Sequence, residues 1–93
     1  MLTHVVCFRF ASLDIAQEAA DRLLSMKGRI EALKGIEAGV DQTRSGRSYD
    51  LALITRHDDQ AGLDAYGAHP VHQEVLAWLK PRIEAVVAVD FSS

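Results

Sequence analysis

The sequence predicts an α+β fold with elements in the order β-α-β-β-α-β. Three patterns carry that expectation. Residues 2–10 alternate with period two, as a strand does. From Asp14 the apolar period becomes helical, with Ile15, Ala19, Leu23, Met26, Ile30 and Leu33 recurring at spacings of four, four, three, four and three. Beyond them, two strand-like runs flank a polar, glycine-containing turn, and a second helical region leads into a closing apolar run.

In the first strand, Leu2, His4, Val6, Phe8 and Phe10 point one way and Thr3, Val5, Cys7 and Arg9 the other. Both faces are apolar at the centre, as in a strand covered on both sides. Cys7 reads as a small buried hydrophobe. The first helix is expected from Asp14 to about Lys34. Asp14 with Gln17 resembles a capping box, Glu18 and Asp21 complement the positive N-terminal end, and Gly35 suits the position that stops a helix. Gly28 lies off the apolar face and permits a bend. Residues 36–43 and 49–57 read as strands joined by Arg44-Ser-Gly-Arg-Ser48, whose arginines read as solubilising charges or, alternatively, as the edge of a pocket mouth. Asp58 or Asp59 can cap a short helix in which Leu63 and Tyr66 share a side and which Gly67 ends. Pro70 then opens a helix to about Lys80, because its missing N–H would be an orphan at the first position anyway. Pro81 is a soft end, with continuation through a kink to Ile83 as the alternative. Residues 85–91 form the last strand.

This order is the split βαβ, or ferredoxin-like, arrangement: a four-stranded antiparallel sheet with helices on one face. Helices cover one face only, yet strands one, three and four are apolar on both. The uncovered face would exceed the apolar patches that monomers expose. Pairing two sheets face to face removes it, so a homodimer with a closed or nearly closed α/β barrel is expected. Size points the same way: a single domain of 93 residues buries only about 60–65% of its extended-chain surface. A net charge of −3 gives no nucleic acid and no anionic membrane as partner. One cysteine allows neither an internal disulfide nor a Cys-rich metal site. There is no basic-then-apolar leader and no long apolar run, so the chain reads as soluble and cytoplasmic.

Chemistry concentrates at Tyr66-Gly-Ala-His69-Pro70-Val-His72. Two of the four histidines and one of the two tyrosines fall within these seven residues. With Pro70 at the first helical position, His72 lies in the first turn and shares a face with Leu76 and Leu79. An imidazole titrates near neutrality, where a general base is effective. The positive helix end favours its neutral, proton-accepting form. The competing reading is a half-buried structural histidine with one hydrogen bond. Tyr66 can donate from its phenol to a carbonyl or enolate oxygen, or simply pack its ring beside Leu63. His69, held extended by the following proline, reads mainly as the residue that fixes the corner, with a substrate contact second. His4 sits mid-strand on the face of Val6 and Phe8, where a histidine usually reads as a satisfied core residue; if that face is the helix-covered one, it can share a cavity with His72. His57, beside Asp58 and Asp59, reads as a solvated turn. His69 and His72 straddle the helix start without a suitably spaced carboxylate, so no metal is expected.

The opening Thr3-His4-Val-Val-Cys-Phe-Arg-Phe10, Ser48-Tyr-Asp-Leu-Ala-Leu53, the Tyr66/His69/Pro70/His72 signature and Val89-Asp-Phe91 together resemble the stress-responsive dimeric α/β barrel (Dabb) family over essentially the whole chain. The resemblance implies a ferredoxin-like subunit and a dimeric barrel. The family's best-understood enzyme type, the plant olivetolic acid cyclase, closes a linear polyketide by intramolecular aldol condensation without a cofactor. By that likeness His72 is the base and Tyr66 its assistant. His4 matches a pocket histidine, and Asp50 stands where a further one is found. The implied function is binding of a small hydrophobic or polyketide-like carbonyl compound, with cofactor-free cyclase or lyase chemistry. Tyr66, His72 and His4 would line a small apolar cavity, with His69 and Asp50 as further substrate contacts. The alternative is a non-catalytic stress-response or ligand-binding dimer. A third is a cofactor-independent or haem-using oxygenase of similar fold.

Overall fold

The computed structural model describes residues 1–93. Its elements are β1 (Leu2–Phe10), α1 (Asp14–Leu24), β2 (Gly35–Val40), β3 (Leu51–His57), α2 (Gln60–Ala68), α3 (Pro70–Leu79) and β4 (Ile83–Ser92), with a 3-10 turn at Lys80–Arg82. The four strands form one sheet in the order β2-β3-β1-β4, and every neighbouring pair is antiparallel. This is the predicted ferredoxin-like arrangement.

The period-two alternation of β1 is realised as expected. Val6, Phe8 and Phe10 are buried under the helices and join Leu51 and Leu53 of β3 in the core. From α1, Ala16, Ala19, Ala20 and Leu23 face the same core. The three alanines let the helix backbone approach the sheet closely, so little room is left between them.

The first helix is shorter than its apolar period suggests. It ends at Leu24, and Ser25 donates its hydroxyl to the Arg22 carbonyl. Tighter turns follow, with Met26 N–H bonding Leu23, Lys27 N–H bonding Leu24 and Arg29 N–H bonding Met26. Gly28 adopts φ +78°, a left-handed conformation that glycine tolerates and that breaks a helix. Met26 and Ile30 nonetheless remain in the core. The expected capping box is absent as well. Leu13 is the cap residue and makes no side-chain cap bond, while Gln17 bonds Asp21 at 3.1 Å. Gly35 starts β2 rather than stopping a helix.

Two strand boundaries also move. β2 ends at Val40 and β3 begins at Leu51, because the connection between them is organised by Arg44. At φ 53° it is the only non-glycine residue with positive φ. Its backbone N–H reaches Asp41 at 2.7 Å, and its guanidinium reaches Asp50 at 2.7 Å and the Tyr49 carbonyl at 3.3 Å. Arg44 is therefore a loop clasp rather than a solubilising charge. β4 begins at Ile83, because Pro81 diverts the chain through the 3-10 turn instead of kinking α3.

The sheet face away from the helices carries Val5, Cys7, Ile54, Val87, Val89 and Phe91 in mutual register. Val87, Val89 and Phe91 are about half exposed or more. Cys7 is half-buried on this face rather than enclosed in the core. No helix is long and apolar enough to cross a membrane.

Candidate functional site

Two helix ends build the corner that the sequence singled out. α2 stops at Ala68, and His69 turns the chain with extended backbone (φ −65°, ψ 138°) into Pro70 at the head of α3. The His69 Nδ1 accepts the Val71 N–H at 3.1 Å, satisfying one of the helix's orphan donors. The expected corner-fixing role is thus visible in the geometry. With Nδ1 accepting, the ring proton resides on Nε2.

His72 has the opposite tautomer. Its Nδ1 lies 2.9 Å from the Gly67 carbonyl oxygen. That oxygen can only accept, so Nδ1 carries the proton and Nε2 is left with a free lone pair. Gln73 donates to the same carbonyl at 2.6 Å. Burial pushes the His72 pKa below its ordinary 6.5, opposed by the Gly67 bond and assisted by His4 and Lys80. The direction is the one the helix N-terminus suggested, but desolvation is its main cause.

Tyr66 stands between two imidazoles. Its ring centroid is 4.4 Å from that of His72 and 4.9 Å from that of His57, tilted by 50° and 46°. The residue is only 2% exposed, and its hydroxyl is enclosed without a hydrogen-bond partner. Burial pushes the phenol pKa well above the ordinary tyrosine value, so the group is a neutral donor at any working pH.

His57 is not a solvated turn. It is fully buried, with Nδ1 2.8 Å from the Ala32 carbonyl and Nε2 2.9 Å from the Thr55 hydroxyl. Nδ1–H donates to Ala32 and Nε2 accepts from Thr55, so both ring nitrogens are satisfied. The ring forms one wall for Tyr66. Nothing local in the sequence signals this, because the covering carbonyl lies 25 residues away.

His4 points to the helix side, the condition for sharing a cavity with His72, and β4 brings it a partner. In register, His4 faces Asp90, and its Nδ1 bonds the Asp90 carboxylate. The pair is 19% and 40% exposed at the side chains. Asp90 was missed by sequence reasoning. The alternation of β4 puts it with Val86 and Ala88, but only the strand register pairs it with a histidine. His4 is close enough to His72 for its charge to depress the His72 pKa.

Asp50 is elsewhere. Its carboxylate accepts the Phe10 N–H at 2.8 Å and the Arg44 guanidinium at 2.7 Å, and its own N–H donates to Phe8 at 2.8 Å. Phe10 is six residues along β1 from His4, about 20 Å away. These bonds, the Phe10 N–H first, hold the Asp50 carboxyl below the usual range against its burial. Asp50 ties the hairpin to β1 at the end of that strand away from His4.

The concave surfaces also differ from expectation. A groove of about 450 Å³ runs between residues 30–34 and the start of α2, lined in part by Ala32, Asp59 and His69. A hollow of about 340 Å³ lies at Cys7, Gly39, Tyr49 and Ala52. Neither includes Tyr66 or His72, and the phenol hydroxyl is sealed from solvent. The expected cavity lined by Tyr66, His72 and His4 is therefore closed at its phenol end. No group of three or more His, Cys, Asp or Glu side chains stands in metal-binding geometry.

The sequence profile of the stress responsive A/B barrel domain, Dabb, matches residues 2–93. The chain belongs to the Dabb family. No curated protein matches it. Among solved structures, this Dabb domain is similar to a dimeric ferredoxin-like protein of unknown function from Thermobifida fusca, at 28% identity and a TM-score of 0.87 over 99% of this chain and 90% of that one. It also resembles At3g17210 from Arabidopsis thaliana, at 19% identity and a TM-score of 0.84 over 100% and 95% of the two chains. An antibiotic biosynthesis monooxygenase shares the fold at 17% identity and a TM-score of 0.81, over 100% and 98%.

Proposed function

We propose that this Dabb domain works as a homodimer that binds a small hydrophobic or polyketide-like carbonyl compound, and that His72 is a general base in a cofactor-free cyclisation. One observation carries the reading. The Gly67 carbonyl fixes the His72 proton on Nδ1, leaving the Nε2 lone pair available in a neutral ring, beside a phenol donor that has no partner of its own. Nε2 takes a proton from the carbon α to a carbonyl. The enolate oxygen receives the Tyr66 hydrogen bond, a fixed donor aimed where charge develops. The enolate carbon attacks a second carbonyl of the same molecule, and the new alkoxide takes the proton back from the imidazolium. Atoms and charge balance without a cofactor. The His4–Asp90 pair supplies a second imidazole, oriented by its carboxylate, at the rim. The dimer is supported by the exposed apolar face of the sheet and by relatives described as dimeric.

The enclosed Tyr66 hydroxyl requires the α2–α3 corner to open when ligand enters, at the level of side-chain or loop motion. That same closure favours a second reading, a ligand-binding or stress-response dimer without turnover. A screen of β-polyketone and aromatic-precursor carbonyl compounds against wild type and His72→Ala separates the two. Turnover in wild type that falls at least about 100-fold in the variant supports the base. Equal turnover in both proteins removes His72 from the mechanism. Thermal stabilisation by ligand without product in either protein favours the binding dimer.

A further inference from the structure

Two helices of this chain are capped by side chains of different chemistry. At α2 the Asp59 carboxylate accepts the Gly62 N–H at 2.9 Å, the usual kind of cap. At α3 the acceptor is the His69 imidazole, whose Nδ1 takes the Val71 N–H at 3.1 Å. A carboxylate keeps its acceptor oxygens from about pH 8 to pH 5. An imidazole nitrogen accepts only while the ring is neutral, and imidazoles change charge within that range.

The turn that this cap holds packs against the enclosed phenol. Val71 precedes His72, and the His72 ring lies 4.4 Å from the Tyr66 ring, centroid to centroid. The same turn is tied to the end of α2 through His72 Nδ1 and Gln73 Nε2, which reach the Gly67 carbonyl at 2.9 and 2.6 Å. The Tyr66 hydroxyl has no partner, so the closed corner retains an unsatisfied group that opening relieves.

We infer that His69 is a pH-sensitive latch on the α2–α3 corner: neutral, it holds the first turn of α3 against Tyr66, and protonated, it lets that turn open. The inference rests on the reading that this corner opens for a ligand, and not on the chemistry assigned to His72. In the imidazolium both ring nitrogens carry protons, so Nδ1–H and the Val71 N–H would meet donor to donor. The charge also opposes the positive end of α3. The ring therefore turns away, and Val71 loses its cap. The groove of about 450 Å³ receives it, because His69 shares that wall with Glu31 and Lys34 from one side and Asp58 and Asp59 from the other. Three carboxylates against one ammonium accommodate an imidazolium there. On the two helices, Tyr66 stays neutral and His72 titrates in the same turn as the cap.

Amide exchange by NMR, corrected for its intrinsic pH dependence, reads the latch. Between pH 8 and pH 5 the protection of Val71 is expected to fall about fivefold or more, the size of one lost cap. Gly62, under its Asp59 cap, should stay level. The midpoint should match the protonation of His69 read from its ring carbon shifts, and the Overhauser contacts between the Tyr66 and His72 rings should weaken in step. His69→Asn supplies a cap acceptor at every pH, so its Val71 profile should be flat, whereas His72→Gln should keep the fall. A flat Val71 profile in wild type, a parallel fall at Gly62, a midpoint that departs from His69, or a fall that survives His69→Asn overturns the latch. A fall that His72→Gln abolishes also overturns it and assigns the switch to His72. Should either variant fail to fold, the wild-type midpoint and the Gly62 control decide by themselves. None of these readings uses turnover, so a failed latch leaves the His72 base to be judged by its own substrate screen.

Discussion

Replacing Tyr66 by Phe should make this protein more stable. The substitution removes one oxygen and leaves the ring between His57 and His72. That oxygen is enclosed and has no hydrogen-bond partner, so the folded state bears the desolvation of a hydroxyl without compensation. Such an unsatisfied group costs about 1–3 kcal/mol. Removing it forfeits a few van der Waals contacts at about 0.1–0.2 kcal/mol each, so the net gain is about 1–2 kcal/mol. A chain of 93 residues has an unfolding entropy near 0.2 kcal/mol/K at the midpoint, so the melting temperature should rise by about 5–10 °C. Differential scanning calorimetry at one fixed protein concentration measures it, since the midpoint of a dimer depends on concentration. If the hydroxyl is also the donor to the enolate, turnover should fall about 100-fold or more in the same variant. A melting temperature that is unchanged or lower would show that the hydroxyl is satisfied in the folded protein, and would refute the reasoning that it waits for a ligand.

Three further outcomes follow from the same geometry. Asp50→Ala should lose about 2–3 kcal/mol, because it orphans the buried Phe10 N–H. Since the folded-state pKa of Asp50 is depressed, its stabilisation is full above the unfolded value near 4 and disappears as pH falls through the folded value. Urea unfolding of wild type and variant between pH 7 and pH 2 should therefore show their difference shrinking only in acid. His57→Ala should cost about 3 kcal/mol by creating a cavity and leaving the Ala32 carbonyl and the Thr55 hydroxyl unpaired, read by equilibrium denaturation. His72 must be neutral to accept a proton, so kcat/KM should rise with pH along a limb centred below 6.5. The same depressed pKa makes the folded protein lose stability as pH drops below 6.5 towards the folded value, a slope that His72→Gln should flatten.

Much of the fold is legible along the chain because its signals are local. The alternation of Leu2–Phe10, the Pro70 helix start and the Asp59 cap, which accepts the Gly62 N–H at 2.9 Å, each depend on neighbours within a few residues. The apolar spacing from Ile15 to Leu33 put Ala19, Leu23, Met26 and Ile30 in the core, with Ile15 and Leu33 partly buried against it, but misjudged the helix. A left-handed Gly28 and successive tight turns replace the helical hydrogen-bond ladder, yet Met26 and Ile30 still reach the core.

By itself the sequence determined the element order, the expectation that helices cover only one face of the sheet, and the conjunction of Tyr66, His69 and His72 at one corner. Only the tertiary structure decided what those residues meet. Strand register pairs His4 with Asp90, a carbonyl 25 residues away buries His57, and the hairpin clasp takes Asp50 out of the site. The physical reason is that periodicity and capping are set by contacts within one or two turns of chain. Register and burial are set instead by partners brought together across the sheet, and no local pattern encodes which partner arrives.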